Sequence, residues 1–333
     1  MKTTRPTIIS VAERAQVSKS LASRALRGDP GVSVESRRRV AEAAAELGYR
    51  LNSAARSLVR GESGIIGVVL NDIGNPHHTD VVLGVEAEAK RRGLRTVIGH
   101  GANSPEELER QVTTMMELRV DGIVLVSSWV PRDVLAQTGA ELPAVVVAHL
   151  DDPPEEVDVV ASDDVRGGMA ACEHLAAVGC GRIAYVTRSG SATSHARRRG
   201  AEQAAQAAGL EVEVRCFEPG DAGGLRDLVA ARRYDGILAN NDLTAAELLR
   251  LAHEEGVRVP GELALIGYDD TFTARVLSPS LTSVDQPQHA MGTRAVRSVL
   301  ERQAGRTDPV RAFYEPELVV RRSTARIPGG LDR

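Results

Sequence analysis

The 333-residue sequence is poor in aromatic residues, which make up 3% of it, and it has only three cysteines. With so few aromatics, the cores must be built mainly from Ala, Val, Leu and Ile. The cysteines, Cys172, Cys180 and Cys216, are odd in number and lack a C-x-x-C spacing. Neither a disulfide framework nor a zinc site is therefore predicted, and a reducing compartment fits best.

Long hydrophobic runs are missing too. The opening residues MKTTRPTIIS lack the apolar stretch of a signal peptide, and no later run approaches the length of a membrane span. We therefore expect a cytoplasmic protein with no membrane partner.

Signatures of catalysis are also lacking. The sequence has no Gly-rich dinucleotide motif after its first predicted strand, no Walker loop, no G-x-S-x-G elbow and no H-E-x-x-H. The acidic pair Asp269-Asp270 could serve as acid and base, but no nucleophile and oxyanion-stabilising set accompanies it. The sequence therefore does not predict an enzyme.

Charge is distributed unequally along the chain. Residues 1–60 contain 12 Lys or Arg against 5 Asp or Glu, a net charge of +7, whereas the whole chain carries −4. The remaining 273 residues therefore carry −11. A small basic head on an acidic body indicates that only the head meets a polyanion. The chain length predicts two or three domains.

Residues 1–50 are predicted to form three short helices. Ser10 and Glu13 have the S-x-x-E spacing of a capping box and would open the first helix. Ser18 would cap the second helix, and the third would start near Ser33. Only a three- or four-residue turn around Gln16 separates the first two helices, which is typical of a helix-turn-helix. Residues 51–63 are predicted to be a linker whose helical turns would be marginal in isolation.

From residue 64 to residue 333, short apolar runs alternate with amphipathic stretches, which indicates parallel sheets covered by helices on both faces. The predicted strands are Ile65–Leu70, Arg95–Gly99, Gly122–Ser127, Ala144–Ala148, Val157–Ala161, Arg182–Thr187, Val212–Phe217, Gly236–Ala239 and Ala264–Gly267.

An internal echo divides this body. Gly93-Leu94 stands 28 residues before Asp121-Gly122-Ile123, and Gly209-Leu210 stands 26 residues before Asp235-Gly236-Ile237. The echo predicts two similar Rossmann-like lobes, about 64–161 with 288–316 and about 162–287 with 317–333. A ligand cleft is expected between the carboxyl ends of their strands.

Several motifs occur in a fixed order. The head contains Thr7-Ile8-x-x-Val11-Ala12-x-x-Ala15-x-Val17-Ser18-x-Ser20-x-x-Ser23-Arg24-x-Leu26, then Leu47-Gly48-Tyr49-x-x-Asn52 and Ala55-Arg56-Ser57-Leu58. The body adds Asn75-Pro76, Val120-Asp121-Gly122-Ile123, Asn241-Asp242, Ile266-Gly267-Tyr268-Asp269-Asp270 and Gln286-Pro287. Over roughly residues 7–324 the chain resembles the LacI/GalR (lactose-repressor/galactose-repressor) family of bacterial regulators. The resemblance implies an all-α helix-turn-helix head and an α/β, two-lobed, periplasmic-binding-protein-like body.

The resemblance also implies DNA contacts. Lys19, Ser20 and Arg24 match base-reading positions on a second helix that enters the major groove. Residues suited to phosphate, which position the head without reading sequence, are Thr7, Ser18, Ser23 and Arg37. The alternative is that Lys19 and Arg24 are solvated charges on a helix face.

In this family the linker folds into a hinge helix on the operator. The matching segment includes Asn52 and Ala55, and Leu58 matches the leucine that intercalates in the minor groove and kinks the duplex. Leu58 could instead cap the first lobe. Two departures from the family are Leu51, where proline is usual, and Gln16, which replaces a turn glycine and is expected to strain the turn.

In the body the resemblance implies an effector site at the strand ends. The matching residues are His78, His100, His149, Arg197, Asn241, Asp242, Asp269 and Gln286. Asp242 could instead cap a helix. Four histidines near one cleft raise a metal hypothesis, but adjacent His77 and His78 point apart on a regular element, and no Cys or carboxylate pattern completes a site. Hydrogen bonding or stacking by histidine is favoured, and neither a metal nor a cofactor is expected.

The sequence thus predicts a transcription regulator, in first place a repressor. It would bind a near-palindromic double-stranded operator as a homodimer under the control of a sugar, nucleoside or related polar effector. A solute-binding protein for transport is the alternative, but it would need a signal peptide and would leave the +7 head without a purpose. A tetramer is disfavoured because the tail, Ile327–Arg333, has no leucine heptads.

Overall fold

The computed structural model describes residues 6–49 and 62–325. The chain separates into two compact units that divide between Ser63 and Gly64. Three residues of the predicted hinge, Asn52, Ala55 and Leu58, lie outside the described residues. Within the described ranges, no helix combines the length and apolar character needed to cross a membrane.

The first unit contains α1 (Ile8–Arg14), α2 (Lys19–Arg27) and α3 (Val34–Glu46). Their core is made of small side chains that let the helices pack closely: Val11, Ala12, Ala15, Ala22, Val40, Ala43 and Ala44. Gln16, in the turn between α1 and α2, has a φ of 53°. This is the left-handed region that favours glycine, so the expected strain is present. The predicted helix-turn-helix is confirmed.

The helix starts were predicted correctly in two cases of three. Ser18 and Ser33 cap α2 and α3, each accepting from a backbone N–H at 3.2 Å. The predicted capping box of Ser10 with Glu13 is wrong. Thr7 caps α1, its Oγ1 accepting from Ser10 N at 3.3 Å while Ser10 Oγ accepts from Thr7 N at 2.8 Å. A serine thus takes the place of the usual Glu or Gln of the box, a substitution that the S-x-x-E pattern does not detect.

The second unit contains two six-stranded sheets. The strands are β1 (Ile65–Leu70), β2 (Arg95–His100), β3 (Gly122–Val126), β4 (Ala144–Val147), β5 (Val157–Ser162), β6 (Ile183–Thr187), β7 (Val212–Cys216), β8 (Gly236–Ala239), β9 (Ala264–Asp269), β10 (Thr282–Asp285), β11 (Arg311–Tyr314) and β12 (Glu317–Val319). The helices are α4 (Pro76–Arg91), α5 (Pro105–Glu117), α6 (Arg132–Glu141), α7 (Asp164–Ala177), α8 (Ala192–Ala207), α9 (Ala222–Ala230), α10 (Asp242–Glu254), α11 (Phe272–Val276) and α12 (Gln288–Gln303), with a 3-10 turn at Arg322–Thr324.

The two sheets repeat one topology. Their strand orders are β11-β5-β4-β3-β1-β2 and β12-β10-β9-β8-β6-β7, and buried apolar clusters lie on both faces of each. The sequence echo has a structural counterpart, because Gly93 precedes β2 as Gly209 precedes β7, and Gly122 and Gly236 begin β3 and β8. We call the part built on the sheet with β1 the first lobe and the part built on the sheet with β6 the second lobe.

Three strands, β10, β11 and β12, were not predicted. β10 is polar in sequence, yet Thr282 and Ser283 are fully buried, with hydrogen bonds to Ser323 and Asp242 that come from distant parts of the chain. β11 and β12 are short edge strands whose side chains are half-buried or exposed, so they lack a hydrophobic signal. β12 pairs antiparallel with β10, whereas the other strand pairs are parallel.

Each lobe contains a pair of helices whose backbones touch. In the first lobe α4 packs on α12 through Gly84 and Gly292, and in the second lobe α7 packs on α8 through Gly168 and Gly200. A Cβ at any of these glycines would lie 1.9–2.3 Å from a backbone oxygen of the facing helix. These contacts hold α4 and α8 where their side chains reach the candidate site.

Candidate functional site

A cleft of about 370 Å³ lies between the two lobes. Residues that follow the carboxyl ends of strands line it from both sides, among them Asn71, Ser127 and Ser162 from the first lobe and Asn240 and Asp269 from the second. This is the position predicted from the strand order. Of the predicted effector residues, the cleft brings together His78, His149, Arg197, Asn241, Asp269 and Gln286.

His100 is not among the residues that line the cleft. It ends β2, which is the edge strand of its sheet, and its side chain is exposed. The carboxyl end of an edge strand lies beside the cleft rather than beneath it. The prediction that His100 would reach the effector site is therefore wrong, and the four histidines do not gather at one point.

Asp242 does not line the cleft either, although it was predicted to do so. Its side chain is 1% exposed and is occupied by three protein donors. Oδ2 accepts from the backbone N and the Oγ1 of Thr271, at 2.7 and 2.9 Å, and Oδ1 accepts from Ser283 Oγ at 2.6 Å. The capping alternative is also wrong, because Asn241 caps α10 by accepting from Thr244 N at 2.9 Å.

Asp242 instead holds the turn that presents Asp269. Two consecutive non-glycine residues of this turn, Asp269 and Asp270, have φ values of 104° and 46°, a conformation that is costly for both. The turn is fastened on each side, since Thr271 donates to Asp242 and the Asp270 carboxylate pairs with Arg321. The strain is thus borne by the surrounding structure, and it points the Asp269 carboxyl group into the cleft.

The charged centre of the cleft floor is Arg197, which is 4% exposed. Its Nε donates to Asp164 Oδ1 at 2.8 Å, its Nη1 donates to the carbonyl oxygen of Asn240 at 2.5 Å, and its Nη2 lies 3.7 Å from Asp269 Oδ1. The guanidinium carbon stacks 3.6 Å from the ring centroid of Tyr268. A buried arginine with these partners stays charged and orients polar groups around it.

Asp269 connects the two lobes. Gln286, on the crossover from β10 to α12, donates to its Oδ1 at 2.7 Å, and Gln288, at the start of α12, donates to its backbone oxygen. His77 Nδ1, from α4 of the first lobe, lies 3.6 Å from the same Oδ1. Burial raises the pKa of Asp269 above the usual range for an aspartate.

Sequence reasoning missed several cleft residues, although a signal was available. Asn71, Ser127, Ser162 and Asn240 are each the first residue after a strand or its last residue, where parallel sheets place ligand contacts. Asn71 Oδ1 and Ser162 Oγ are buried without a hydrogen-bond partner among the described residues. A polar ligand would supply those missing partners.

The predicted DNA-contacting side chains of the head divide into two groups. Lys19, Ser20 and Arg24 are exposed on α2, while Thr7 and Ser18 act as helix caps and Ser23 is half-buried. Arg24 Nη2 donates to the carbonyl oxygen of Pro30 at 2.8 Å, which leaves its other N–H groups available.

Arg37, predicted to contact phosphate, has a structural task in the head. Its Nη2 donates to the carbonyl oxygen of Asp29 at 2.6 Å and its Nε to that of Val32 at 3.3 Å. It thereby fastens the loop between α2 and α3. Its contact with phosphate stays a prediction.

Comparisons with known proteins agree with both units. Residues 7–52 match the profile described as "Bacterial regulatory proteins, lacI family", and residues 172–324 match a "Periplasmic binding protein-like domain". The chain is 31% identical to the HTH-type transcriptional regulator DegA of Bacillus subtilis, over 98% of this chain and 99% of that one. It is 33% identical to the HTH-type transcriptional regulator CelR of Thermobifida fusca, over 96% and 98%.

Two solved structures cover the chain almost completely. The structure of a transcriptional regulator CelR–cellobiose complex is 30% identical in sequence, with a TM-score of 0.70, over 96% of this chain and 100% of that chain. The lac repressor dimer bound to operator has a TM-score of 0.83 over 96% and 99%, at 24% identity, which compares the fold alone.

Proposed function

The chain belongs to the lacI family of bacterial regulatory proteins, and from this premise we propose that it is a repressor whose operator affinity is set by a small polar effector in the interlobe cleft. It is a DNA-binding transcriptional regulator rather than an enzyme, as its relatives are. In our proposal residues 1–50 form the DNA-binding head, residues 51–63 the hinge and residues 64–333 the effector-binding body. The protein would act in the cytoplasm as a homodimer on a near-palindromic operator.

The observation that carries the proposal is the combination, in one chain, of an exposed reading helix with a polar cleft in a separate unit. Lys19, Ser20 and Arg24 stand on the exposed face of α2, where the second helix of a helix-turn-helix faces base edges. A transport protein would have no use for this surface. The base-reading and phosphate roles assigned from the resemblance, including those of the hinge, are part of the proposal.

The cleft suits a sugar or related polyhydroxylated metabolite. The CelR structure was determined with cellobiose, and a lacI-family regulator from Enterococcus faecium with ribose. The lining here offers both acceptors and donors, including Asp269, Asn241 and His149, and Trp129 provides an aromatic face. Such groups suit the hydroxyls and ring face of a sugar.

The same contacts offer a route from ligand to DNA. Asp269 faces the cleft and is bonded to Gln286 and Gln288, which lead into α12 of the first lobe. A ligand that engages Asp269 therefore changes the contacts that hold the lobes together. Coupling between two sites in proteins is typically about 1–3 kcal/mol, or roughly 5- to 150-fold in operator affinity.

The proposal is tested with the purified full chain. We expect it to select a near-palindromic sequence from random duplex DNA, to lose affinity steeply as salt rises, and to change affinity when a sugar is added. The measurement is fluorescence anisotropy of the selected duplex with a scrambled duplex as control. A chain that selects no sequence, with or without the sugars, would exclude a role as a DNA-binding repressor.

Arg24→Ala is expected to relax base preference at one symmetric pair of operator positions, by roughly 1–3 kcal/mol per contact, because a bidentate arginine–guanine contact is lost. The measurement is binding to a set of operators with single base-pair changes. Arg38→Ala is the matched control, since Arg38 is an exposed arginine on α3 paired with Glu35 and Glu42. An unchanged preference in the Arg24 variant would make Arg24 a phosphate contact.

Leu58→Ala is expected to weaken the specific complex by more than ~10-fold while leaving nonspecific binding nearly unchanged, because only the kinked operator complex contains the inserted leucine. The ratio of the two affinities, measured on the selected and scrambled duplexes, is the readout. Equal losses on both duplexes would remove the intercalation claim.

A further inference from the structure

Two adjacent histidines, His77 and His78, stand in the first turn of α4. The backbone N of His77 donates to the capping side chain of Asn75 at 3.0 Å, and both histidines line the cleft. Their ring centroids are 5.7 Å apart, with an interplanar angle of 66°. The two rings therefore address neighbouring parts of whatever occupies this side of the cleft.

Both imidazoles are neutral at physiological pH. Burial lowers the pKa of His77 to about 3 and that of His78 to about 4, and the Arg197 guanidinium contributes to both shifts. A neutral imidazole has one N–H donor and one lone-pair acceptor, and the partners of the ring decide which nitrogen carries the proton.

The partners of the two rings differ. Nδ1 of His78 lies 2.9 Å from the carbonyl oxygen of Asp72, which can only accept, so Nδ1 carries the proton of His78. Nδ1 of His77 lies 3.4 Å from Nε2 of Gln286, an amide donor oriented by its 2.7 Å bond to the Asp269 carboxyl group. Nδ1 of His77 therefore accepts, and its proton is on Nε2.

The Nε2 atoms are consequently opposite in character. His77 offers an N–H and His78 offers a lone pair, and neither atom has a hydrogen-bond partner within residues 6–49 and 62–325. The arginines that line the cleft are already paired, Arg188 with Glu247 and Arg197 with Asp164. An anionic ligand would find no unpaired cation among these lining residues.

We infer that His77 and His78 determine effector specificity, acting as a neutral donor–acceptor pair that selects an uncharged ligand with adjacent hydroxyl groups. A hydroxyl both donates and accepts, so one hydroxyl satisfies His77 and its neighbour satisfies His78. A carboxylate or phosphate dianion cannot donate to His78, and burying its charge without a new partner is costly. The inference deepens the proposed function, because it assumes that the effector binds in this cleft.

The test is calorimetric titration of the full chain with neutral sugars and their anionic counterparts. The pairs are D-ribose with D-ribose 5-phosphate, D-xylulose with D-xylulose 5-phosphate, and cellobiose with cellobionic acid. We expect at least one neutral sugar to bind and its anionic counterpart to bind at least ~30-fold more weakly, corresponding to roughly 2 kcal/mol. An anionic counterpart that binds as tightly as its neutral partner overturns the inference, and so does a failure of every neutral sugar to bind.

Variants separate specificity from folding. His77→Phe and His78→Phe keep a planar ring but remove the Nε2 group, and each should weaken binding of that sugar by about 5- to 50-fold, since a ligand hydroxyl is left without a partner. His78→Gln, which retains an acceptor, should recover part of the loss, and His195→Phe, exposed on α8, is the control. Phe variants with unchanged sugar affinity overturn the inference.

Operator binding by the same samples distinguishes the two possible failures. A chain that binds its operator but shows no preference for neutral sugars refutes the role of the histidine pair alone. A chain that binds neither operator nor sugar refutes the proposed function.

Discussion

The Asp269→Ala variant should bind its operator with normal affinity and no longer respond to the effector. Asp269 is the cleft residue that contacts both lobes, through Gln286 and Gln288, and it lies next to Arg197. Hydrogen bonds to a charged group contribute about 1.5–3 kcal/mol each. Losing them should weaken effector binding by at least ~100-fold, measured by calorimetry, and remove the effector's influence on operator anisotropy.

The matched control for this variant is Asp269→Asn. Asparagine tolerates the left-handed backbone of this turn better than alanine does, so it preserves the turn while removing the charge. If the carboxylate itself binds the effector, the Asn variant should also lose most of the response, with a melting temperature close to that of the parent. A normal response in both variants would place the effector elsewhere.

Gly200→Ala should destabilise the body strongly. A Cβ at this position would lie 1.9 Å from the backbone oxygen of Val165 on α7, so the helices must separate. Alanine is otherwise preferred over glycine in a helix by about 1 kcal/mol, and the clash must exceed that gain. We expect a net loss of at least ~2–3 kcal/mol in the free energy of unfolding, measured by urea denaturation.

The same substitution should also impair the effector site. Arg197 is one turn before Gly200 on α8, and its bond to Asp164 on α7 depends on the close approach of the two helices. Gly292→Ala in the first lobe, where a Cβ would lie 2.1 Å from the backbone oxygen of Val81, should destabilise similarly without moving Arg197. Gly181→Ala, with open space around its Cβ, should be nearly neutral. Equal stability of all three variants would contradict the proposed role of the helix crossings.

The cleft residues show how far local sequence reasoning reaches. Arg197, Asp269 and Gln286 were predicted from motif positions, and the structure brings them together. Asp242 was predicted with them because it follows a strand, yet its carboxyl group points into the protein and clamps a strained turn. Adjacent residues at a strand end face different ways, and their direction depends on partners, such as Ser283, that are distant in sequence.

Sequence alone determined the class of the protein. The spacing of apolar residues and serine caps determined the helices of the head, and the alternation of apolar runs with amphipathic stretches determined two α/β lobes, because both patterns are local consequences of backbone geometry. Only the tertiary structure decided which strand-end residues share the cleft. It also decided that His100 lies outside, that β10 is a buried strand, and that His77 and His78 present opposite hydrogen-bonding groups. Each of these depends on contacts between segments far apart in the chain, and such contacts leave no periodic signal in the sequence.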